Sequence, residues 1–506
     1  MRQRITFIQE SEDSFDPKLL DVYISSIKAR GIRAIREDRI TFGLQELPQE
    51  LYRVLKASHE LHIRWVGTRS YMSVPPIVSR LSPGLHVFYT PQRNSSNSDL
   101  LCPSLKKILG DIDCESTEAS FTNLPAERFS LSAAKQYYSP LFDLDELQTY
   151  LLHKLCKDAH PNCLQRIELL ETAASLDIDF DTISHALTIT AFWPKRSWDF
   201  DMSNMEPKER LEVGILTESH AQEPEELSLG GFLTVVSEDT KPSPTLFSFP
   251  SRHHPYDGSF TSSFIQPTGL HPVLKLDISY RAPPFPKEDR SCSLHAHLTL
   301  PRAIFADKYQ LADSLFLASK NLVALHYITT PVDLEAPAYT LPIWGSSLLL
   351  ELAPSQASNL VPPETSEWDT SFTAHIPLHL RYLPPSVTPQ TLLSVPSPVL
   401  FWACTADEGS KFPVNPFDRT NLGYDGLFGP RTMFYHLDPK PSIEGEGLLN
   451  EISVPVLDLE GSKWVETGTA GVMMLGFAWV CWCLLSVWMK NGYGATKAIN
   501  RGKKEQ

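Results

Sequence analysis

From Thr467 to Met489 the chain reads TGTAGVMMLGFAWVCWCLLSVWM, 23 residues without one charge. As a helix rising 1.5 Å per residue, such a stretch is roughly 34 Å long, enough to cross a hydrocarbon core of about 30 Å. Val472, Leu475, Phe477, Val480, Leu484, Leu485 and Val487 each favour insertion by about 0.3–0.6 kcal/mol, roughly 2–4 kcal/mol together. A single mid-span charge would cancel that gain. Trp464, Trp488 and Tyr493 stand at the two ends, where amphipathic rings anchor at the interface. A core helix of a soluble protein rarely runs this long without a polar face. One transmembrane helix over 467–489 is therefore expected, with the rest of the chain folding beside the membrane.

The flanking charges give the helix a direction. After Met489 come Lys490, Lys497, Arg501, Lys503 and Lys504 against one acid, Glu505. Before Thr467, Lys463 faces Glu451, Asp458, Glu460 and Glu466. Positive charge stays in the cytosol, so the tail 490–506 is expected there and residues 1–466 on the lumenal side. The final KKEQ places Lys503 and Lys504 at the spacing of a dilysine retrieval signal, which points to the endoplasmic reticulum membrane. The opening MRQRITFIQESEDSFDPKLL has no apolar h-region, so no cleavable signal peptide is expected. A tail-anchored protein facing the cytosol is the competing topology, and it would have to carry the basic tail across the bilayer.

A lumenal body sets further expectations. Cys102, Cys114, Cys156, Cys163, Cys292 and Cys404 lie outside the helix and are available for up to three disulfides, whose pairing the spacing leaves open. Asn94-Ser95-Ser96, in a polar loop, is the one glycosylation sequon. The net charge of −15 excludes nucleic acid as a partner, because that binding demands a basic footprint. Forty-one prolines against 24 glycines suit many short strands with proline-studded connections.

The periodicity bears this out along the chain. Ile5–Ile8 and Leu85–Tyr89 read as strands, and Leu61, Ile63 and Trp65 alternate with His62 and Arg64 as in a half-buried strand. Gln49–Ala57 puts Leu51, Val54 and Leu55 on one helical face. A helix begins at Asp143, capped through Glu146, with Leu144, Leu147, Leu151 and Leu155 as a core-facing stripe and Pro161 beyond its end. Ile183–Phe192, the alternation Leu211, Val213, Ile215, and Phe232–Val236 after a Gly-Gly turn read as strands. Lys241–Pro267, rich in Pro, Ser and His, reads as a long loop or boundary. Beyond it, Val273–Ile278, Leu294–Leu300, Leu322–Tyr327, Ser347–Leu352, Phe372–Leu383 and Val399–Ala403 form a run of short strands with prolines near their ends. The expected fold is mainly β with minor α: antiparallel β-sandwich-like lumenal domains plus one C-terminal transmembrane helix. The expected regions are 1–240, mixed α/β becoming β-rich; the loop or boundary 241–267; a β domain over 268–460; the helix 467–489; and the tail 490–506.

Several stretches in that second half carry a likeness. TGLHPVLKLDIS (Thr268–Ser279), CSLHAHLTLP (Cys292–Pro301), IFADKYQL (Ile304–Leu311), HIPLHLRYLPPS (His375–Ser386) and PSPVLFWACTADEG (Pro396–Gly409) occur in order before the apolar helix. Over roughly residues 260–490 the chain resembles the PIG-X family, and its layout is similar to the long fungal members. The resemblance implies a non-catalytic subunit of GPI mannosyltransferase I in the endoplasmic reticulum membrane. There it would support a multi-spanning PIG-M-type catalytic subunit that adds the first mannose to the GPI-anchor precursor. Fungal members are also linked to the stability of other proteins of that membrane. A general membrane chaperone or cargo-binding protein is therefore the alternative.

Neither the resemblance nor the residues supply a catalytic group, cofactor or metal. Asp-x-Asp, the pattern with which many glycosyltransferases hold a metal, occurs at 111/113, 143/145, 177/179, 179/181 and 199/201, as expected of an acidic chain. His295 and His297 share a strand face without a third ligand at recognisable spacing and read as solvated histidines. His379 and Arg381 share a face too, as a partner patch or an Arg-capped sheet edge. Thr467, Gly471 and Gly476 are the small residues through which the helix would pack against a partner's spans.

Overall fold

The computed structural model describes residues 1–491 apart from 11–15, 17–18, 24, 93–99, 126–132, 155, 157–160, 204–209, 222, 224, 282–283, 285–290, 330–331, 355–369, 414 and 444. The chain falls into two compact units, one formed by residues 1–382 with 393–452 and one by 383–392 with 453–506.

The first twelve strands of the larger unit are β1 (Arg2–Gln9), β2 (Leu20–Val22), β3 (Ser26–Gly43), β4 (Ser58–Val66), β5 (Gly84–Pro91), β6 (Thr122–Asn123), β7 (Lys135–Ser139), β8 (Ser175–Asp181), β9 (Ala186–Ser203), β10 (Arg210–Ser219), β11 (Glu226–Val235) and β12 (Ser243–Pro250). They make one sheet in the order β12-β11-β10-β1-β3-β9-β8-β4-β5-β7-β6, with β2 against β3. Its neighbours are antiparallel except β1 and β10, which run parallel with Ile5 beside Val213. The second set is β13 (His253–Phe264), β14 (Val273–Tyr280), β15 (Cys292–Pro301), β16 (Ile304–Phe305), β17 (Leu322–Ile328), β18 (Gly345–Leu352), β19 (Thr370–Pro377), β20 (His379–Leu380), β21 (Gln390–Pro396), β22 (Val399–Thr405), β23 (Thr432–Lys440) and β24 (Leu449–Pro455). Eight of these form a sheet in the order β17-β18-β15-β22-β23-β13-β14-β19, again with one parallel pair, β13 and β23. The mainly β class expected from the sequence is what the chain adopts.

Helices α1 (Gln49–Ala57), α2 (Leu101–Leu109), α3 (Asp145–Lys154) and α4 (Pro161–Leu170) interrupt the first sheet, and α5 (Ser314–Ala318) is a short turn in the second half. On one face of the first sheet, Ile5, Phe7, Leu61, Ile63, Trp65, Leu85, Val87, Val213 and Ile215 pack under Val54, Leu55, Leu101, Leu105 and Leu147 of α1–α3. Period-2 strands thus meet period-3.6 helices in a common core, as the patterns required. The second sheet meets the first where Tyr138 of β7 packs edge-on to Trp344 at 5.7 Å and Ser347 Oγ donates to Gln136 Oε1 at 3.5 Å.

Several readings are corrected. Residues 241–267 are not a loop: β12 and β13 run through them. The exposed edge strand β12 lacks alternation, and β13 buries His253, His254 and Ser262, so neither shows an apolar period. The Gly-Gly pair lies inside β11 rather than before it. A Cβ on Gly231 would meet Ile215 O at 2.1 Å, so the close approach of β10 requires glycine there. Ile183 sits in a turn closed by Asp181, whose carboxylate accepts from Ile183 N and Ser184 N at 2.7 and 2.8 Å, and the strand starts at Ala186. Helix α3 starts slightly later than expected, at Asp145, with Leu144 and Leu147 buried as read. Leu155 lies outside the described residues.

The smaller unit holds the apolar stretch. Ser386 N donates to Leu457 O, Val456 N to Pro389 O and Leu459 N to Ser386 O, at 3.0–3.1 Å, clasping the chain where α6 (Leu459–Asn491) begins. This helix of 33 residues is about 50 Å long and none of its apolar segment is buried in the protein.

Candidate functional site

In α6 the large apolar side chains from Val472 to Met489 are exposed, so this surface has no partner among the described residues. Thr467 donates to Lys463 O at 2.8 Å, and a Cβ on Gly471 or Gly476 would meet nothing within 4 Å. At 100° per residue Thr467 and Gly471 share a face, whereas Gly476 lies about 140° round from Gly471. The three small residues do not form one seam. Asn94, Lys503 and Lys504 lie outside the described residues.

His379 and Arg381 do come together, on one ring. His379 stacks on Phe305 at 5.3 Å and the Arg381 guanidinium lies over the same ring at 4.3 Å. Arg381 is buried, donates to Ala336 O at 2.9 Å, and so pins the 336–338 segment. His379 shares a hydrogen bond with His271 at 2.9 Å. Tyr382, beside them, is exposed.

The Asp-x-Asp pairs have distinct fates. Asp113 pairs with Arg302, Asp199 accepts from Gly31 N at 2.7 Å, and Asp201 pairs with Lys28 at 2.6 Å. Asp143 and Asp145 stand on the wall of a cleft of about 430 Å³ with Trp65, Arg69, Gln148 and Glu171. Asp177 and Asp179 belong to a buried ionic lock on the face of the first sheet opposite the helices. Arg64, 1 % exposed, reaches Asp179 at 2.7 Å and Asp177 at 3.5 Å. His62 Nδ1 lies 2.8 Å from Asp179, and Arg419, brought in from the C-terminal half, reaches Asp177 at 2.5 Å. Arg64 also donates to Thr420 O at 2.7 Å and Arg419 to Ser175 Oγ at 2.8 Å. Burial pushes the Asp179 carboxyl up, but Arg64 and His62 outweigh it and hold the group below the usual carboxylate range. Burial likewise opposes the charge on Arg64, and the two aspartates more than restore it. These carboxylates are engaged by cations of the chain itself, and no group of three or more potential metal ligands occurs among the described residues.

The alternation in β4 led to a wet polar face; the structure buries His62 and Arg64 beneath residues 417–420. His295 and His297 are not solvated either. Both are buried, His295 against Phe401 at 5.9 Å and His297 against Tyr424 at 5.4 Å. Burial depresses each to about 3. His253 and His436, on the parallel neighbours β13 and β23, approach to 2.8 Å and are depressed by the same cause. Asp418 moves the other way, raised by burial to about 7. No periodicity could have revealed these groups, since their partners lie more than a hundred residues away.

A cavity of about 90 Å³ remains under α1, α2 and α3, with no polar atom exposed on its wall. Leu55, Leu105 and Leu147 form its buried wall, and Leu51, Ile108 and Leu151 its half-buried rim. At about 24 cal/mol per Å³, leaving it empty costs roughly 2 kcal/mol. Across its mouth Tyr150 Oη donates to Glu50 Oε1 at 2.6 Å, and Lys107 pairs with the same carboxylate. One carboxylate of α1 therefore links α2 and α3.

Two disulfides fix the described part of the body. Cys102–Cys114 ties α2 to the segment after it, and Cys292–Cys404 joins β15 to β22. Cys156 is disulfide-bonded as well.

The family profile described as PIG-X / PBN1 matches residues 267–485, from β14 through most of α6. Protein pbn1 of Neurospora crassa is 48% identical over 97% of this chain and 97% of its own. Protein pbn1 of Emericella nidulans is 44% identical over 100% of both. Protein PBN1 of Saccharomyces cerevisiae is 25% identical over 54% of this chain and 58% of its own. Among solved structures, the Fcho1 Mu homology domain of Danio rerio with bound Eps15 peptide covers 90% of this chain at 11% identity and a TM-score of 0.12, too slight a likeness to bear on the fold. The matched span takes in the first sheet as well as the profile region, at an identity approaching one half: the chain belongs to the PIG-X / PBN1 family, in its fungal form.

Proposed function

We propose that the protein is a non-catalytic subunit of the endoplasmic reticulum membrane that stabilises a multi-spanning mannosyltransferase of PIG-M type, the enzyme adding the first mannose to the GPI-anchor precursor. Membership in the PIG-X / PBN1 family supports a role in GPI-anchor biosynthesis. The observation that carries the subunit reading is the pairing of a large β-rich body with one unburied apolar helix long enough to cross a membrane, the only such helix among the described residues. One helix cannot enclose a lipid-linked donor, but it can pack against the spans of a protein that does. Thr467 and Gly471, which share a face, and Gly476, on another, are the small residues through which a helix neighbour would approach closely. The disulfides support a lumenal body, because such bonds persist in oxidising compartments. The basic tail supports a cytosolic C-terminus.

Depletion of the protein tests this directly. The mannosyltransferase should fall in abundance, the unmannosylated precursor should accumulate, and the tagged chain should co-purify with that enzyme in stoichiometric amount. Normal first-mannose product after depletion would sink the reading. Many substoichiometric clients in place of one partner would favour the general chaperone.

A further inference from the structure

We propose that the cavity under α1, α2 and α3 takes a hydrocarbon chain of an anionic membrane lipid. The proposal stands independently of the mannosyltransferase partnership.

The lining excludes the other occupants. A peptide would bring backbone N–H and C=O groups that need partners, and the wall exposes no polar atom to supply them. Water needs two or more polar partners and finds none there. A hydrocarbon chain brings no such demand. Leu51, Leu55, Leu105, Ile108, Leu147 and Leu151 give it aliphatic contact on every side. The space holds only the first few methylenes, so admitting more requires the three short helices to part.

The mouth fits that event and specifies the head. Glu50 is the carboxylate shared by Tyr150 and Lys107, and the charge of Lys154 adds to the positive field on it. An anionic head group can replace Glu50 as the partner of Lys107, with Lys154 on the neighbouring helix adding positive charge, and so release α1 from its neighbours as the chain enters. The protein carries its own helix long and apolar enough to cross a bilayer, so lipid chains are the apolar ligands in supply.

The full-length protein in nanodiscs, with a diazirine in the acyl chain of phosphatidylserine, provides the test. Photolysis should place adducts on peptides spanning 49–57, 101–109 and 145–154 as well as on α6. Ile108→Trp, which fills the cavity from its rim, should cut the adducts on those three peptides at least fivefold without changing those on α6. Lys107→Glu, an exposed substitution that leaves the core intact, should cut them similarly. The same diazirine chain on phosphatidylcholine should label the three peptides several-fold less. Adducts confined to α6, or an unchanged yield in Ile108→Trp, would overturn the proposal. Equal labelling by the two lipids would overturn the choice of an anionic head.

Discussion

The two faces of the first sheet are built on opposite principles. Under α1–α3 the strands present Ile5, Phe7, Leu61, Ile63 and Trp65, and every layer is apolar. On the opposite face the same strands present His62, Arg64, Asp177 and Asp179, sealed by Arg419 and Thr420 from the C-terminal half. The first face is held by burial, which is non-directional and tolerates a residual cavity. The second sets charges in fixed geometry beside an apolar patch of Ile8, Ile35, Phe192, Leu216 and Phe417, and there a missing partner leaves a buried ion. The difference teaches that the lock adds directional polar contacts to the apolar ones, such as Phe417 against Ile8 and Phe192, that bind the N-terminal and C-terminal halves into one unit, while α1–α3 cover the N-terminal sheet alone.

Acid should separate the two faces most strongly. His86, His295, His297 and His436 are depressed by burial, to about 4 for the first and about 3 for the others, and His253 and His254 are depressed as well. Below about pH 6.5 the unfolded chain protonates these imidazoles while the folded chain does not. Stability is therefore full above pH 6.5 and falls as pH drops toward 4, each histidine contributing up to about 1.4 kcal/mol per pH unit. Asp418 opposes this, because its carboxyl stays protonated in the fold up to about 7 and favours the fold at lower pH. Asp177 and Glu218, also raised by burial, act the same way, but the depressed histidines outnumber these carboxyls. Asp179, depressed, adds a further loss as pH falls below the ordinary carboxylate range. Hydrogen exchange at pH 7 and pH 5 should show protection lost first in 417–436 and last in α1 and α2. Loss in the reverse order would break the comparison.

Single substitutions come next in size. Arg419→Ala leaves Asp177 facing Arg64 alone and should cost about 3–5 kcal/mol. Leu105→Ala, on the apolar face, should cost about 2–5 kcal/mol. Denaturant midpoints measure both, and a second substitution tells them apart. Asp177→Asn added to Arg419→Ala removes the orphaned charge, so the pair should cost less than the sum of the singles by about 0.5–3 kcal/mol. Asp177→Asn added to Leu105→Ala should simply add. Additivity in both pairs would mean that the lock is not a coupled network.

The sequence made one face legible and concealed the other for a physical reason. Alternation in Leu61–Trp65 tells which residues share a side, and the apolar side was read correctly. It does not tell what covers the polar side, and Arg419 lies more than three hundred residues further on. For the same reason β13 was taken for a loop: its buried His253 and His254 are paired by position in the fold, to His436 Nε2 and Ser251 O, and not by periodicity. The helix long and apolar enough to cross a membrane needed no partner to be read from the sequence, since its length and lack of charge are properties of a single segment. Of the proposed contact residues, Arg381 proved to be tied into the fold, and Thr467 and Gly471 remain open. The cavity had no signature, because α1 and α3 read as ordinary core helices.

The smallest effect tests whether location or motif decides what an Asp-x-Asp pair does. Asp177-x-Asp179 and Asp199-x-Asp201 are the same pattern on adjacent strands of one sheet. The first pair meets Arg64 and Arg419 out of water, and the second meets Lys28 and a backbone amide at the exposed end of β9. In water the Asp201–Lys28 attraction is screened and offset by the ordering of two flexible side chains. Asp201→Asn should therefore leave the unfolding midpoint where it is, in low salt as in high, whereas Asp177→Asn should lower it clearly. A comparable loss from Asp201→Asn would show that the open end of β9 is covered in the assembled protein, and would make that end the next place to look for a partner.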